Sequence, residues 1–340
     1  MNIPYRTRQL LQRIALIALA ILVVGGLIFF CWFTWLQRYV IYTRDKGAVL
    51  DMSLNPSVAL GVPAVPDTTE ETLSVYYNEG ANAINVSREL EQITGYYADR
   101  TALEESLDEV LAQATALPSG TPIMLDVKSP KGNFFYSSSV SSNYNPDLDI
   151  AKMDEMIKTL DKRGMYLIAR LPSLRDYYFG LDKTSNGLFV ASGSHLWADD
   201  DYCYWLDPTK EGTITYLAQI VTELKLLGFD EVVFDEFRFP DTDNLKFEGD
   251  RDQALADAAK TLVASCATDN FAVSFVGEST FPLPHGRARL YVTSALAAEA
   301  DAIAQQTGLE NPAISLVFLT EIHDTRFDAY SVLRPLEAAH

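Results

Sequence analysis

The predicted fold depends on one stretch of the chain, Gly228-Phe229-Asp230-Glu231-Val232-Val233-Phe234-Asp235-Glu236-Phe237-Arg238-Phe239-Pro240. A glycine that can end a helix precedes a short apolar run typical of a buried strand, and charged residues cluster just before a proline. Parallel strands covered on both faces are apolar along their length and carry polar groups at their C-terminal ends. The stretch therefore predicts a strand that presents Asp235 at the rim of an α/β barrel. An ion pair between Asp235 and Arg238 that ties a loop to the rim would give the same pattern.

Strand and helix patterns alternate on both sides of this stretch. Apolar runs at residues 93–97, 123–127, 165–171 and 271–276 read as strands. One intervening helix is expected to begin at a capping box formed by Thr101 and Glu104, and another at Asp207 as N-cap with Pro208 in the first turn. Repeated units of this kind predict a parallel sheet, either closed as a barrel or open and doubly wound.

The last third of the chain carries weaker strand patterns. Candidates lie at residues 290–293, 313–320 and 330–333. We therefore predict a (β/α)8 TIM-type barrel over residues 91–340, irregular or incomplete in its C-terminal third.

Charged residues follow the apolar run of each stronger strand pattern after the first. These residues are Asp126, Lys128, Arg170, Asp235, Glu236, Arg238 and Glu278. Because parallel strands point the same way, their C-terminal ends should meet at one rim. The two-residue period of a strand places Asp126 and Lys128 on one face, and it separates Asp235 from Glu236 unless a bulge turns both inward.

Carboxylates interleaved with basic residues suit general acid/base chemistry. Glycoside hydrolysis requires such a pair, and the sequence supplies Asp235 as nucleophile or base, Glu278 as acid and Asp126 as an alternative partner. Nearby aromatic side chains can stack on sugar rings or simply pack loops together. These are Tyr136, Tyr144, Tyr177, Tyr178, Trp197, Tyr202, Tyr204 and Trp205.

The N-terminus reads as a membrane anchor. Residues 14–36 form a run of 23 residues without a charged side chain, preceded by a basic tip at residues 1–13. A helix of that length spans about 34 Å, enough to cross a hydrocarbon core of about 30 Å. A cleaved signal peptide is the alternative, but the run is longer than the apolar part of most signal peptides. We expect a cytoplasmic tip, a single pass through the bilayer, a stalk over residues 37–90 and an extracytoplasmic barrel.

Composition and motifs narrow the functional classes. The net charge is −19. Residues 1–46 carry +5, so the rest of the chain carries −24. A domain this acidic is not expected to bind nucleic acid. The sequence contains no dinucleotide, phosphate-loop or nucleophile-elbow motif and no Cys/His metal spacing, so neither a cofactor nor a metal is expected.

Four ordered motifs resemble one known family. They are Met124-Leu125-Asp126-Val127-Lys128 with Gly132 and Tyr136, Leu167-Ile168-Ala169-Arg170, Trp205-Leu206-Asp207-Pro208, and the opening stretch through Arg238-Phe239-Pro240. In order and spacing they are similar to the "putative glycosyl hydrolase domain" of bacterial proteins, a TIM barrel related to α-amylase-like hydrolases. Members usually have tyrosine after the aspartate, where this chain has Glu236.

The resemblance implies a glycoside hydrolase that acts on a cell-surface or environmental polysaccharide. Its motifs add a set of expected substrate contacts: Lys128, Arg170, Trp205, Asp207, Glu236 and Arg238. A catalytically inactive barrel that binds cell-wall polysaccharide or serves as an envelope scaffold is the alternative. A polysaccharide deacetylase would require metal ligands that the sequence does not supply.

Overall fold

The computed structural model describes residues 40–43, 47–50 and 89–336, and its main feature is a closed barrel of eight parallel strands. The strands are β1 Thr94–Ala98, β2 Pro122–Asp126, β3 Tyr166–Pro172, β4 Glu231–Asp235, β5 Ala272–Val276, β6 Leu290–Thr293, β7 Leu316–Leu319 and β8 Ser331–Pro335. β8 pairs with both β7 and β1, which closes the barrel. All eight predicted strands are present, so the alternatives of an open sheet and an incomplete strand set are wrong.

Helices cover the outside of the barrel unevenly. They are α1 Arg100–Ala116, α2 Ile150–Lys162, α3 Tyr177–Asp182, α4 Glu211–Leu226, α5 Arg251–Cys266, α6 Ala300–Thr307 and α7 Pro312–Ser315. The chain passes from β5 to β6 through residues 277–289 without a helix, and a single 3-10 turn, Thr325–Phe327, lies between β7 and β8. The irregularity predicted for the last third therefore lies in the helical layer and not in the sheet.

Two predicted helix starts are wrong. α1 begins two residues earlier than its expected capping box, because the Asp99 carboxylate accepts a hydrogen bond from the Ala102 backbone N–H at 2.9 Å and so replaces Thr101 as N-cap. Asp207 does not cap α4, which begins at Glu211. Its carboxylate instead accepts hydrogen bonds from the Thr209 N–H and hydroxyl at 2.9 and 2.6 Å and closes the turn before the helix. Hydrogen bonds from neighbouring residues to the Asp99 and Asp207 carboxylates thus explain why both helices begin where they do.

Gly228 ends α4 as predicted. Its backbone has a φ of +93°, a conformation that residues with a β-carbon rarely adopt. The chain reverses there and enters β4 three residues later. This turn sets the phase of β4 and hence the face on which Asp235 lies.

Alternate strand residues divide into an inner and an outer set. Met124, Ile168, Val233, Tyr291, Val317 and Leu333 pack together inside the barrel. Their neighbours in sequence, such as Leu125, Leu167 and Phe234, belong to the larger core between the sheet and the helices. Because side chains alternate along a strand, the inner position after Val233 is Asp235.

A buried polar cluster fills the end of the barrel at which the strands begin. The Glu231 carboxylate is fully buried and pairs with the equally buried Arg289 guanidinium. It also accepts hydrogen bonds from the Tyr166, Ser274 and Tyr291 hydroxyls at 2.9, 2.5 and 3.0 Å. Every charge in the cluster is thus paired, as burial demands.

The Glu223 side chain on α4 fixes the long loop that follows β2. Its carboxylate accepts hydrogen bonds from the Tyr136 hydroxyl at 3.2 Å, the Ser138 hydroxyl at 2.6 Å and the Ser139 N–H at 2.6 Å. Although burial opposes ionisation, these bonds hold the pKa of Glu223 below its ordinary value. Tyr136, one of the candidate sugar-stacking rings, is consequently buried in a structural contact.

Glu223→Gln should lower the free energy of unfolding by about 1 kcal/mol at neutral pH, because the ionised carboxylate accepts these bonds better than an amide does. A lowered pKa in the folded state stabilises the fold above the ordinary value near 4.5, and that contribution disappears as the pH falls through the folded pKa. Urea denaturation at several pH values should therefore show the two proteins converging below about pH 4. Glu155→Gln, on the exposed side of α2, serves as control; an equal effect of both substitutions would contradict the assignment.

The N-terminal unit of the chain is described only by an antiparallel hairpin, in which Val40–Thr43 pairs with Gly47–Leu50. The predicted anchor at residues 14–36 lies outside the described residues, as does most of the predicted stalk at residues 37–90. Within the part of the chain that the structure describes, no helix combines the length and the apolar character needed to cross a bilayer.

Candidate active site

Three charged side chains meet at the C-terminal mouth of the barrel. Asp126 ends β2, Arg170 lies near the end of β3 and Asp235 ends β4. The Arg170 guanidinium binds Asp126 through two hydrogen bonds, Nε to Oδ1 at 2.5 Å and Nη2 to Oδ2 at 2.9 Å. Asp126 Oδ2 also accepts the Arg100 N–H at 2.8 Å, so this carboxylate is committed to positioning Arg170.

Asp235 is the less constrained of the two carboxyl groups. Its Oδ1 accepts one hydrogen bond, at 2.7 Å, from the N–H of Glu236. Burial raises the pKa of Asp235, and the nearby Glu236 and Asp126 carboxylates add to the shift, whereas the positive charge of Arg170 opposes it. A partly exposed carboxyl with a raised pKa in a barrel mouth is a strong candidate for proton transfer or nucleophilic attack.

Glu236 lies just beyond the end of β4 and contacts two arginine side chains next to the site. Its φ of +51° is unusual for a non-glycine residue, and it ends the strand alternation directly after Asp235. Its buried carboxylate pairs with the Arg238 guanidinium at 3.0 Å and lies 3.8 Å from the Arg175 guanidinium. Glu236 is therefore a partner of two arginines, and Arg238 remains half-exposed at the rim.

Glu278 follows β5, the strand next to β4. The Phe234–Phe275 pairing makes Asp235 level with Val276, and Glu278 lies two residues further on. Its side chain is exposed and thus available to a substrate at the rim.

Glu321, which the sequence analysis did not include, follows β7 in the phase of the inner residues Val317 and Leu319. Together with burial, its charge raises the pKa of Tyr97 to about 12, while Arg170 lowers it. Glu321 and Arg170 therefore both lie near the Tyr97 hydroxyl at the mouth. The apolar run at residues 313–320 could have drawn attention to Glu321, because this charged residue follows it directly.

Two side chains that were predicted to contact substrate, those of Lys128 and Asp207, bind other residues of the protein. The Lys128 ammonium is fully buried and binds Asp176 Oδ2 at 2.7 Å. That oxygen also accepts the Tyr216 hydroxyl at 2.8 Å. Asp207 closes the turn before α4, as described above. Both side chains thus have structural partners, so we leave them out of the proposed site, and substrate contact by either of them stays a prediction.

Trp205, a third predicted contact, is almost fully buried. The Arg238 guanidinium lies over its ring at 5.0 Å, and its Nε1 donates to Asp199 Oδ2 at 3.0 Å. The ring therefore holds Arg238 in place through a cation–π contact and can act on a substrate only through that arginine.

Arg175 connects the loop after β3 to the rim. Its Nε binds Asp199 Oδ2 at 2.6 Å and its Nη2 binds Asp201 Oδ2 at 2.6 Å, while Nη1 faces Glu236. No strand pattern marked this arginine, because it lies beyond the end of β3 and its partners lie far along the loop. It fixes the loop beside the residue that follows Asp235.

A closed barrel of eight parallel strands with charged side chains at its C-terminal mouth is a TIM barrel, a fold whose enzymes carry their active sites at that mouth. The chain belongs to the family described as "Putative glycosyl hydrolase domain", whose characteristic sequence pattern matches residues 93–275. The matched region contains β1 to β4 and most of β5, including Asp126, Arg170 and Asp235. No match was found among curated protein sequences.

Solved structures of similar fold include glycosidases. An α-galactosidase from Lactobacillus brevis superposes with a TM-score of 0.50 at 13% identity, covering 74% of this chain and 38% of that one. A hypothetical protein from Ruminiclostridium thermocellum gives a TM-score of 0.45 at 20% identity, covering 53% of this chain and 96% of that one. At 13% identity the likeness to the galactosidase shows the fold alone, and this chain spans about two fifths of that protein.

Proposed function

We propose that this protein hydrolyses glycosidic bonds in a cell-surface or environmental polysaccharide, with Asp235 as its principal catalytic carboxyl. The observation that carries the proposal is the position of Asp235, which is directed into the barrel mouth, has a raised pKa and lies beside the Asp126–Arg170 pair. In this role Asp235 acts as nucleophile on the sugar or as base toward water.

Glu278 is our choice for the proton donor to the departing sugar. It is exposed at the end of the strand adjacent to β4, whereas the Asp126 carboxylate is occupied by Arg170 and by the Arg100 N–H. Glu321, at the end of β7 near Tyr97, is available for a hydroxyl group of the bound sugar. Arg170 and Arg238 would orient the substrate, and Glu236 would hold Arg238 in place.

The site is proposed to work outside the cell. The apolar run at residues 14–36 would anchor the chain in the bilayer after a short basic cytoplasmic tip. The stalk at residues 37–90 would then separate the barrel from the membrane. Sugar polymers of the envelope or the surroundings would be accessible to a barrel held in this way.

The proposal is tested by incubating the full-length protein with a panel of polysaccharides and measuring the release of reducing ends. An Asp235→Asn protein provides the inactive reference. Release of products by the wild type alone supports hydrolysis. Binding of a glycan without product from any polysaccharide in the panel would instead favour the inactive barrel that binds cell-wall polysaccharide or serves as a scaffold.

Glu278→Gln should reduce the hydrolysis of the active polysaccharide about 100- to 10,000-fold, because a glutamine cannot donate the proton that a sugar leaving group needs. A nitrophenyl glycoside of the same sugar needs little protonation, so its cleavage should fall much less. Steady-state kinetics on both substrates measure the difference. Equal losses on the two substrates would contradict the donor role, and a selective loss in Glu321→Gln would transfer it to β7.

A further inference from the structure

We propose that the ring of Tyr202 forms a second sugar-binding position, a stacking surface for a sugar unit next to the one cleaved, so that the protein prefers chains over single sugars. The inference rests on the proposed glycoside hydrolase function and adds a position to that site. Tyr202 has the most exposed aromatic side chain in the described part of the chain, with 78% of its surface accessible.

The surroundings of Tyr202 keep its ring free. Within residues 89–336, the Tyr202 backbone N–H makes a hydrogen bond, whereas its side chain makes neither a hydrogen bond nor a contact with another aromatic ring. Burying a large apolar ring against another surface is favourable, and leaving it in water forgoes that gain. An aromatic side chain with a polar tip suits the face of a sugar ring, which is apolar on its C–H side and polar at its edge.

The turn that carries Tyr202 is rigidly built. Asp199 Oδ1 accepts the N–H groups of Asp201 and Cys203 at 3.0 and 2.9 Å, and the Asp199 carbonyl accepts the Tyr202 N–H at 2.9 Å. Tyr202 itself has a φ of +59°, which is rare for an aromatic residue and fixes the direction in which its side chain leaves the backbone. Because the backbone of the turn is already ordered, binding of a sugar to the ring does not have to order the turn as well.

One guanidinium ties this turn to the barrel mouth. Arg175 binds both Asp199 and Asp201 at 2.6 Å, and the same group lies 3.8 Å from Glu236, the residue that follows Asp235. The Asp201 carboxylate, adjacent to Tyr202, is 75% exposed and can accept hydrogen bonds from sugar hydroxyls. The turn that carries Tyr202 is thus tied through Arg175 to Glu236, the residue that follows Asp235 at the barrel mouth.

The charge of the rim favours a neutral or cationic sugar at this position. Around the turn the four negative charges of Asp199, Asp200, Asp201 and Glu236 outnumber the three positive charges of Arg175, Arg238 and Lys131. An additional carboxylate or sulfate on the sugar would be repelled by this excess. We therefore infer an uncharged or amino sugar unit, and a uronic acid chain should bind more weakly.

The test compares Tyr202→Ala, Tyr202→Phe and the unmodified ring, all in the full-length Asp235→Asn protein. Titration calorimetry measures the binding of hexasaccharides of glucose, galactose, N-acetylglucosamine and glucosamine, and of the corresponding monosaccharides. We expect Tyr202→Ala to weaken the binding of at least one hexasaccharide about tenfold and that of its monosaccharide by less than about twofold. Tyr202→Phe, which keeps the ring, should bind like the unmodified protein.

Leu226→Ala provides a control. Leu226 is 84% exposed at the end of α4, close to the start of β4 and thus at the opposite end of the barrel. Its removal should leave all binding constants unchanged. A Tyr202→Ala protein that binds hexasaccharides normally, or a protein with its ring intact that binds none of them, would overturn the proposal.

The outcome for Tyr202 is distinguishable from that for the proposed function. Hydrolysis that depends on Asp235 together with normal binding by Tyr202→Ala would remove the second sugar position and leave the hydrolase intact. Binding that depends on Tyr202 without hydrolysis by the wild type would establish the sugar position and refute catalysis.

Discussion

Asp235→Asn should reduce polysaccharide hydrolysis about 100- to 10,000-fold, the range over which a positioned acid/base or nucleophilic group contributes. The asparagine is nearly isosteric, and its oxygen can still accept the Glu236 N–H that Asp235 Oδ1 accepts at 2.7 Å. What is lost is the negative charge beside Arg170. The effect should therefore appear in kcat/KM without a fall in melting temperature, because an aspartate whose pKa is raised by burial does not stabilise the fold in its ionised form.

The pH dependence of the wild type provides a second measurement of the same assignment. As nucleophile or base, Asp235 must be ionised, and burial raises its pKa. The rate should therefore begin to fall, as the solution is acidified, at a pH above that expected for an ordinary aspartate. Asp241→Asn, which alters an exposed carboxylate in the same loop, should retain full activity. Full activity of Asp235→Asn would refute the proposed site.

Lys128→Met should lower the free energy of unfolding by about 3–5 kcal/mol, because it leaves the buried Asp176 carboxylate without its cation. Both side chains of the pair are fully buried, at 0% exposure, so water cannot replace the lost ammonium. The Tyr216 hydroxyl would remain as the neutral donor to Asp176 Oδ2. Thermal and urea denaturation should both show the loss.

Two further proteins separate charge from packing at this pair. Lys131→Met removes an exposed lysine three residues away and should be nearly neutral. Adding Asp176→Asn to Lys128→Met removes the unpaired charge while keeping the hydrogen-bond acceptor of the Asp176 side chain, so part of the stability should return. A Lys128→Met protein as stable as the Lys131→Met control, but with a raised KM, would restore the original prediction that Lys128 contacts substrate.

The barrel itself could be predicted from the sequence because its signals are local and repeated. A fully buried strand needs a short apolar run, and the run at residues 290–293 coincides with β6 even though it is only four residues long. Alternation also separated Asp235 from Glu236, and the position of Val233 inside the barrel then shows that Asp235 is the one that points inward. Closure of the sheet into a barrel was harder to predict, because the pairing of β8 with β1 joins segments more than 200 residues apart.

The surroundings of the site were only partly predictable, because they depend on partners that are distant in sequence. Alternation placed Lys128 on the face of Asp126, but β2 ends at Asp126 and the chain leaves the sheet there. Lys128 then meets Asp176, 48 residues further on, which caps the short helix α3 that the sequence patterns did not indicate. Charge at a strand end thus indicates the rim, whereas the choice between substrate and structural partner is made by loops.

The positions of the two polar assemblies have a consequence for how this chain can diverge. The Glu231–Arg289 cluster occupies the end where the strands begin, and the Asp126–Arg170–Asp235 group occupies the end where they finish. The loops after β2, β3 and β4 leave only from the second end. Exposed positions of those loops can therefore change during evolution without touching the Glu231–Arg289 cluster, whereas the buried Lys128–Asp176 pair, which joins the loops after β2 and β3, has to be kept for the fold to stay stable.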